Sequence, residues 1–158
     1  ATFKGAHGIE GVYSQYPVFQ AIAANDVTEG IAETSGGVLI DKEQVLVWDP
    51  EYIFLDSGGV MLVQVDYAAN PEFYAELRAI RAGNVYQYPS STSYYSNVEI
   101  PIVNSYYVAT LLYPEQFADI VFEDKASEIF EFFLGDEGYL AELEAFSAGY
   151  GRVELSAQ

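Results

Sequence analysis

Two short apolar runs constrain the fold most: Tyr52-Ile53-Phe54-Leu55-Asp56 and Asn84-Val85-Tyr86-Gln87-Tyr88. Both are too short for a free-standing helix, and β-branched and aromatic side chains dominate them. The first is apolar almost throughout, which suits a strand covered on both faces. A helical pattern precedes each run. Asp41 is placed to cap a helix, with Gln44 three residues on where a capping box wants Glu or Gln. Val45, Leu46 and Trp48 supply its buried side, and Pro50 bars helix at Asp49. Downstream, Asn70-Pro71 form a cap and first-turn pair, Phe73, Leu77 and Ile80 an apolar face, and Gly83 a stop. Short buried strands alternating with helices predict an α/β domain with a mostly parallel sheet. The expected architecture is a three-layer αβα sandwich, one domain over 1–158.

The remaining chain reads more simply. Tyr16-Pro17-Val18-Phe19-Gln20 opens a short helix with Pro17 at its first position, and the stretch 27–37 is loop-like. A long helix is expected from about Val98 to Tyr113, with Pro101 tolerable because it lies in the first turn. Ala126, Ile129, Phe130, Phe133 and Leu134 fall at helical spacing, an apolar stripe expected to pack on a sheet. Gly135 stops that helix, and 139–146 gives one more. No internal repeat, low-complexity tract or linker interrupts the chain.

Charge narrows the partners. Six basic residues against 24 acidic ones give a formal net charge of −18. Nucleic acid is not an expected partner, because phosphate contact needs clustered Lys and Arg. An anionic membrane surface is disfavoured for the same reason. A basic patch on another protein or a cation remains compatible, and so does a plain solvating surface. With no cysteine, the chain has no disulfide, no thiolate zinc site and no Cys nucleophile. No stretch approaches the roughly 18 apolar residues of a membrane span, and no basic-then-apolar leader follows Ala1, so any leader or anchor is expected outside this sequence. The 14 Tyr, 10 Phe and single Trp suit a recognition cleft as well as a core.

Ligands of parallel sheets bind beyond the carboxyl ends of the strands. That rim is expected to gather 5–11, 56–59 and 88–97, and with them His7, Asp56, Ser57, Gly58, Tyr88, Tyr94 and Tyr95. His7, the only histidine, can ligate a metal, bond an anionic group or face solvent; with Glu10 it makes only two ligands, fewer than a metal site needs. Asp56 either meets a ligand or caps its turn. The tyrosines can stack on a flat ligand, donate a hydrogen bond or ligate ferric iron as phenolate, or else are ordinary half-buried loop residues. Asn104, Ser105 and Tyr106 are read as packing groups. Glu43 is expected towards the opposite rim. A first-turn acid gains about 0.3–1 kcal/mol from the helix dipole, and an exposed one can also dock a basic partner. No P-loop and no nucleophile elbow are present, so an enzyme is not expected. The alternatives are a small α/β enzyme of hydrolase or transferase type using Asp56 and His7, and a surface interaction domain without transport.

The order of 40–59, 70–89 and Leu111-Leu112-Tyr113-Pro114-Glu115-Gln116-Phe117 resembles the C-terminal lobe of substrate-binding proteins of ABC importers for iron complexes and vitamin B12. Lys4-Gly5-Ala6-His7-Gly8-Ile9-Glu10-Gly11 is similar to the first cleft loop of the iron-complex branch. The resemblance implies a Rossmann-like lobe of a class III periplasmic binding protein. Its ligand would be a metal chelate such as a ferric siderophore, haem or a corrinoid, and no resident cofactor is implied. It also implies docking of Glu43 on the transmembrane permease subunits and an extracytoplasmic location, in the periplasm or as a cell-surface lipoprotein. The family's N-terminal lobe and connecting helix have no counterpart here, and the first strand looks truncated. An inter-lobe face left open in this way is expected to be available for self-association.

Overall fold

The computed structural model describes residues 7–90, 97–146 and 148–156. The fold is mixed α/β, with two small sheets. In chain order its elements are β1 (Gly11–Ser14), α1 (Pro17–Ala21), β2 (Gly36–Leu39), α2 (Glu43–Trp48) and β3 (Ile53–Asp56). A 3-10 turn over Ser57–Gly59 then leads into α3 (Val60–Ala69), α4 (Pro71–Ala75), α5 (Arg78–Ala82) and β4 (Val85–Tyr88). The chain ends with α6 (Glu99–Leu112), α7 (Phe122–Leu134), α8 (Tyr139–Ala145) and β5 (Gly151–Arg152).

Both runs singled out in the sequence are strands, and they pair in parallel from Ile53↔Val85 to Asp56↔Tyr88. The third strand of this sheet is antiparallel: β5 pairs with β4 through Tyr86↔Arg152 and Gln87↔Gly151. The sheet is therefore mixed, with parallel pairing confined to β3 and β4. A separate antiparallel ribbon joins β1 to β2, from Gly11↔Leu39 to Ser14↔Gly36. The sequence marks no strand at either position, because two of the four β2 residues are glycine and neither strand alternates cleanly.

Local chemistry sets the helix ends. The predicted capping box at α2 does not form; instead Asp41 Oδ1 accepts the Glu43 N–H at 3.4 Å, and the Gln44 N–H donates to the Asp41 carbonyl at 2.9 Å. Asp49 ends α2 in a left-handed conformation (φ 38°) ahead of Pro50, which forbids the right-handed one. Its Oδ1 also accepts the Arg78 N–H at 2.8 Å, which fastens the end of α2 to the start of α5. The single helix expected over 70–82 is two, broken where Leu77 turns extended (φ −78°, ψ 123°). Gly83 and Gly135 stop their helices at φ 68°, where glycine carries no steric cost. α3 lies in a stretch with no predicted element. Val60, Met61, Leu62, Val63 and Val65 point in nearly every direction around it, so no 3.6-residue period marks it.

Alternation in β3 and β4 builds two cores. Ile53 and Leu55, with Val85, pack on Val45 of α2, Val63 of α3, Tyr74 of α4, and Leu77 and Ala79 at α5. Phe54 and Tyr88 point the other way, against Tyr16 and Val18 at α1 and Tyr107 and Val108 of α6. A third cluster joins Ile100 and Val103 of α6 to Ala126, Ile129 and Phe130 of α7. The α7 stripe thus packs on a helix, not on a sheet, and its last two members, Phe133 and Leu134, remain 43% and 45% exposed. Among the described residues, no helix is long and apolar enough to cross a membrane.

Candidate functional site

Parallel pairing places Asp56 directly opposite Tyr88, so β3 and β4 end together and their following turns leave from one rim. Asp56 is the last residue of β3 and the cap of the 3-10 turn, its Oδ1 accepting the Gly58 N–H at 2.9 Å. Small residues suit the site: Gly59 is buried where the chain folds back into α3. The Ser90 hydroxyl, two residues past β4, donates to the same Asp56 oxygen and ties the two strand ends together. Burial raises the Asp56 carboxyl above its ordinary value, more than the Ser90 and Gly58 hydrogen bonds lower it. The rim thus presents a carboxyl that takes up a proton more readily than a free aspartate. Beside it lie the half-buried Ser57 and the exposed Gly58.

The other predicted residues distribute unevenly. Tyr88 belongs to the core: its ring is 4% exposed and stacks on Phe54 (6.3 Å between centroids, 16° between planes) and Tyr16 (6.0 Å, 24°). Burial first, then Tyr16 and Asp56, push its phenol well above the ordinary tyrosine range, so it stays protonated in this setting. His7 is half-buried in the segment entering β1. Next to it, Glu10 Oε1 accepts the Gly8 N–H at 3.1 Å, which directs that carboxylate to the backbone. Among the described residues, no group of three or more His, Cys, Asp or Glu is placed to hold a metal ion. Tyr94 and Tyr95 lie outside the described residues.

Glu43 is the exposed first residue of α2. Its neighbour Lys42 pairs with Asp66 of α3 and lies over the rings of Phe73 (4.5 Å) and Tyr74 (5.3 Å) of α4. Asp66 is ten positions beyond Asp56 and seven residues into α3. The start of α2 is therefore anchored on the later part of α3, about 9 Å of helix away from its first residue.

Sequence reading missed two features. Asn104, fully buried in α6, donates through Nδ2 to the Pro89 carbonyl at 3.2 Å and accepts from the Tyr150 hydroxyl at 2.8 Å, so it braces the rim from beneath. A lone Asn in an apolar helix was the visible signal. The second is a cavity of about 380 Å³ near the amino end of β3, walled by residues that include Asp26, Trp48, Pro50, Tyr52, Arg78 and Tyr113. These come from four separate segments with no common spacing, and no sequence pattern joins them.

No protein-family model matches the chain, and no curated protein matches it.

Proposed function

We propose that this chain is a solute-binding lobe of an ABC importer, taking an iron complex such as a ferric siderophore or haem at the rim formed by the ends of β3 and β4. The observation that carries the reading is the in-register end of the parallel pair. There Asp56 closes β3 and caps the turn through Ser57 and Gly58, and Ser90 is hydrogen-bonded across to Asp56. In this reading the helices on the two faces of β3 and β4 complete a three-layer, Rossmann-like lobe. Direct contact falls to Asp56, Ser57, Gly58 and His7, with Tyr94 and Tyr95, later in sequence than β4, as further contacts and Tyr88 supporting the rim from below. A partner lobe closing on the site is supported by α3. Just beyond the rim it leaves Met61 64%, Leu62 42% and Val65 63% exposed, an apolar strip that suits cover by another surface.

Delivery would run through Glu43 docking on a basic pocket of the permease, outside the cytoplasm. The chain's charge of −18 would speed such an encounter, and a rim ion pair would set register more than affinity. Uptake by cells carrying Glu43→Arg in the full-length protein tests this. Transport should fall at least about ten-fold, the loss of roughly 1.4 kcal/mol of coupling, while ligand binding stays unchanged. Normal transport with normal binding would remove the docking role.

A further inference from the structure

The cavity near the amino end of β3 is separate from the proposed solute rim, and the groups around it specify a different ligand. Its walls carry the rings of Phe19, Trp48, Tyr52 and Tyr113. Three carboxylates stand at or beside it: Asp26 and Glu51 in the wall, and Asp49 next to Pro50. Only one wall residue is cationic, Arg78, and it already faces Asp49, with Nε 3.9 Å from Oδ2 and the backbone N–H 2.8 Å from Oδ1. Neither Asp26 nor Glu51 has an ion-pair partner among the described residues.

Asp26 is the most telling of these groups. Its Oδ1 accepts the Thr28 N–H at 2.9 Å and lies 2.8 Å from the Thr28 hydroxyl oxygen, while its Oδ2 is buried and accepts no hydrogen bond among the described residues. A buried acceptor without a donor is costly, and a carboxylate more so than a neutral group. The segment cannot swing out to relieve it. The Thr28 hydroxyl lies between Asp26 Oδ1 and the Tyr13 carbonyl, 2.7 Å from the latter, with one proton shared between them; Ser14 Oγ donates to the Thr28 carbonyl at 3.2 Å, and the Tyr113 hydroxyl across 90 residues to the Ala23 carbonyl at 3.2 Å. Excess negative charge is thus fixed at and just behind an aromatic wall.

We propose that this cavity binds a small organic cation, an ammonium group carried on an apolar or aromatic body. Ring faces attract cations, and the carboxylates without an ion-pair partner supply the counter-charge. The volume of about 380 Å³ lies within the range of small-molecule sites. The net charge of −18 adds attraction at long range. The inference does not depend on the solute-binding reading, since the two sites share no residue.

The chain carries its own reporter, because Trp48 is the only tryptophan and lies in the wall. Its fluorescence is titrated with benzyltrimethylammonium, and with benzoate and benzyl alcohol at matched ionic strength. The cation should give a saturable change at millimolar concentration or below, with benzoate at least about ten-fold weaker. Asp26→Asn, which keeps an oxygen for Thr28, should weaken the cation at least about ten-fold. Should that variant fail to fold, Glu51→Gln, an exposed position, should weaken it about three-fold. No saturation by the cation, equal binding of benzoate, or undiminished cation binding by the folded variants would overturn the proposal.

Discussion

Replacing Phe54 by alanine is expected to cost about 3–5 kcal/mol, the largest loss for any single residue of the sheet. The ring is 5% exposed and lies among four others: Phe19 at 5.8 Å, Tyr86 at 5.9 Å, and Tyr52 and Tyr88 each at 6.3 Å between centroids. Three of those neighbours are stacked at 11–26°, Tyr86 and Tyr88 on the paired strand β4 and Tyr52 just ahead of β3, so they cannot close into the space left behind. The lost ring contacts add about 0.5–1.5 kcal/mol per pair to the burial itself. Against a total stability of about 5–15 kcal/mol, this brings the domain near its limit. Thermal melting should fall by roughly 6–20 °C, at about 2–4 °C per kcal/mol. Phe132→Ala, at an 80% exposed position, should shift it by less than about 2 °C, within the usual range for surface substitutions. A loss below about 1 kcal/mol at Phe54 would mean that the stacked face does not hold the sheet.

The second large effect concerns Asp66, which accepts from Lys42 Nζ, from the Tyr74 hydroxyl at 2.5 Å and from Asn70 Nδ2 at 2.7 Å. Burial alone raises this carboxyl, but the three donors and the Lys42 charge outweigh it, and the net result lies below the ordinary aspartate value. A depressed native value contributes stability above the unfolded-state value, near pH 3.9, and that contribution is lost as pH falls through the native one. Asp66→Ala also leaves the hydroxyl of fully buried Tyr74 without its acceptor. Urea unfolding at pH 7 should show a loss of about 2–4 kcal/mol, combining the charged hydrogen bonds with the orphaned hydroxyl. The variant's stability should also fall less steeply than the parent's between pH 5 and pH 2, because one carboxylate fewer is linked to folding. Parallel acid limbs for the two proteins would contradict the assignment.

How far the sequence announces this architecture differs from element to element. β3 and β4 were legible because continuous apolar runs flanked by Pro, Gly and Asn leave few alternatives. Their division of labour was also written there, although composition alone hides it. Aromatic 52, 54, 86 and 88 alternate with aliphatic 53, 55 and 85, so one face stacks rings while the other packs branched side chains. α3 was illegible because a helix apolar nearly all round carries no period. The β1–β2 ribbon was illegible because its partners are 22 to 28 residues apart and half of β2 is glycine. The antiparallel β5 is only two residues long, held through Gly151, Arg152 and the Val153 N–H to the Val85 carbonyl at 2.8 Å.

At the rim, Asp56 and its small-residue turn followed directly from the strand end. The interior position of Tyr88 did not, because residue type places a tyrosine beside the rim without saying which face of β4 it occupies. Register decides that: Tyr88 shares its face with Tyr86 and Phe54, and α1 and α6 cover it. The amino-end cavity depends wholly on tertiary assembly, since Asp26, Trp48, Arg78 and Tyr113 meet only when four separate segments are packed.

Equilibrium titration of the chain with a ferric hydroxamate, a ferric catecholate, haem and cobalamin addresses the solute-binding reading most directly. Each ligand is followed by its own visible absorption, which leaves Trp48 out of the readout. At least one iron complex should saturate in the micromolar range, near −8 kcal/mol, and Asp56→Ala should weaken it at least about ten-fold without loss of fold. Saturation by none of the four, or binding equally tight in the folded Asp56→Ala variant, would contradict a solute site at the carboxyl ends of β3 and β4.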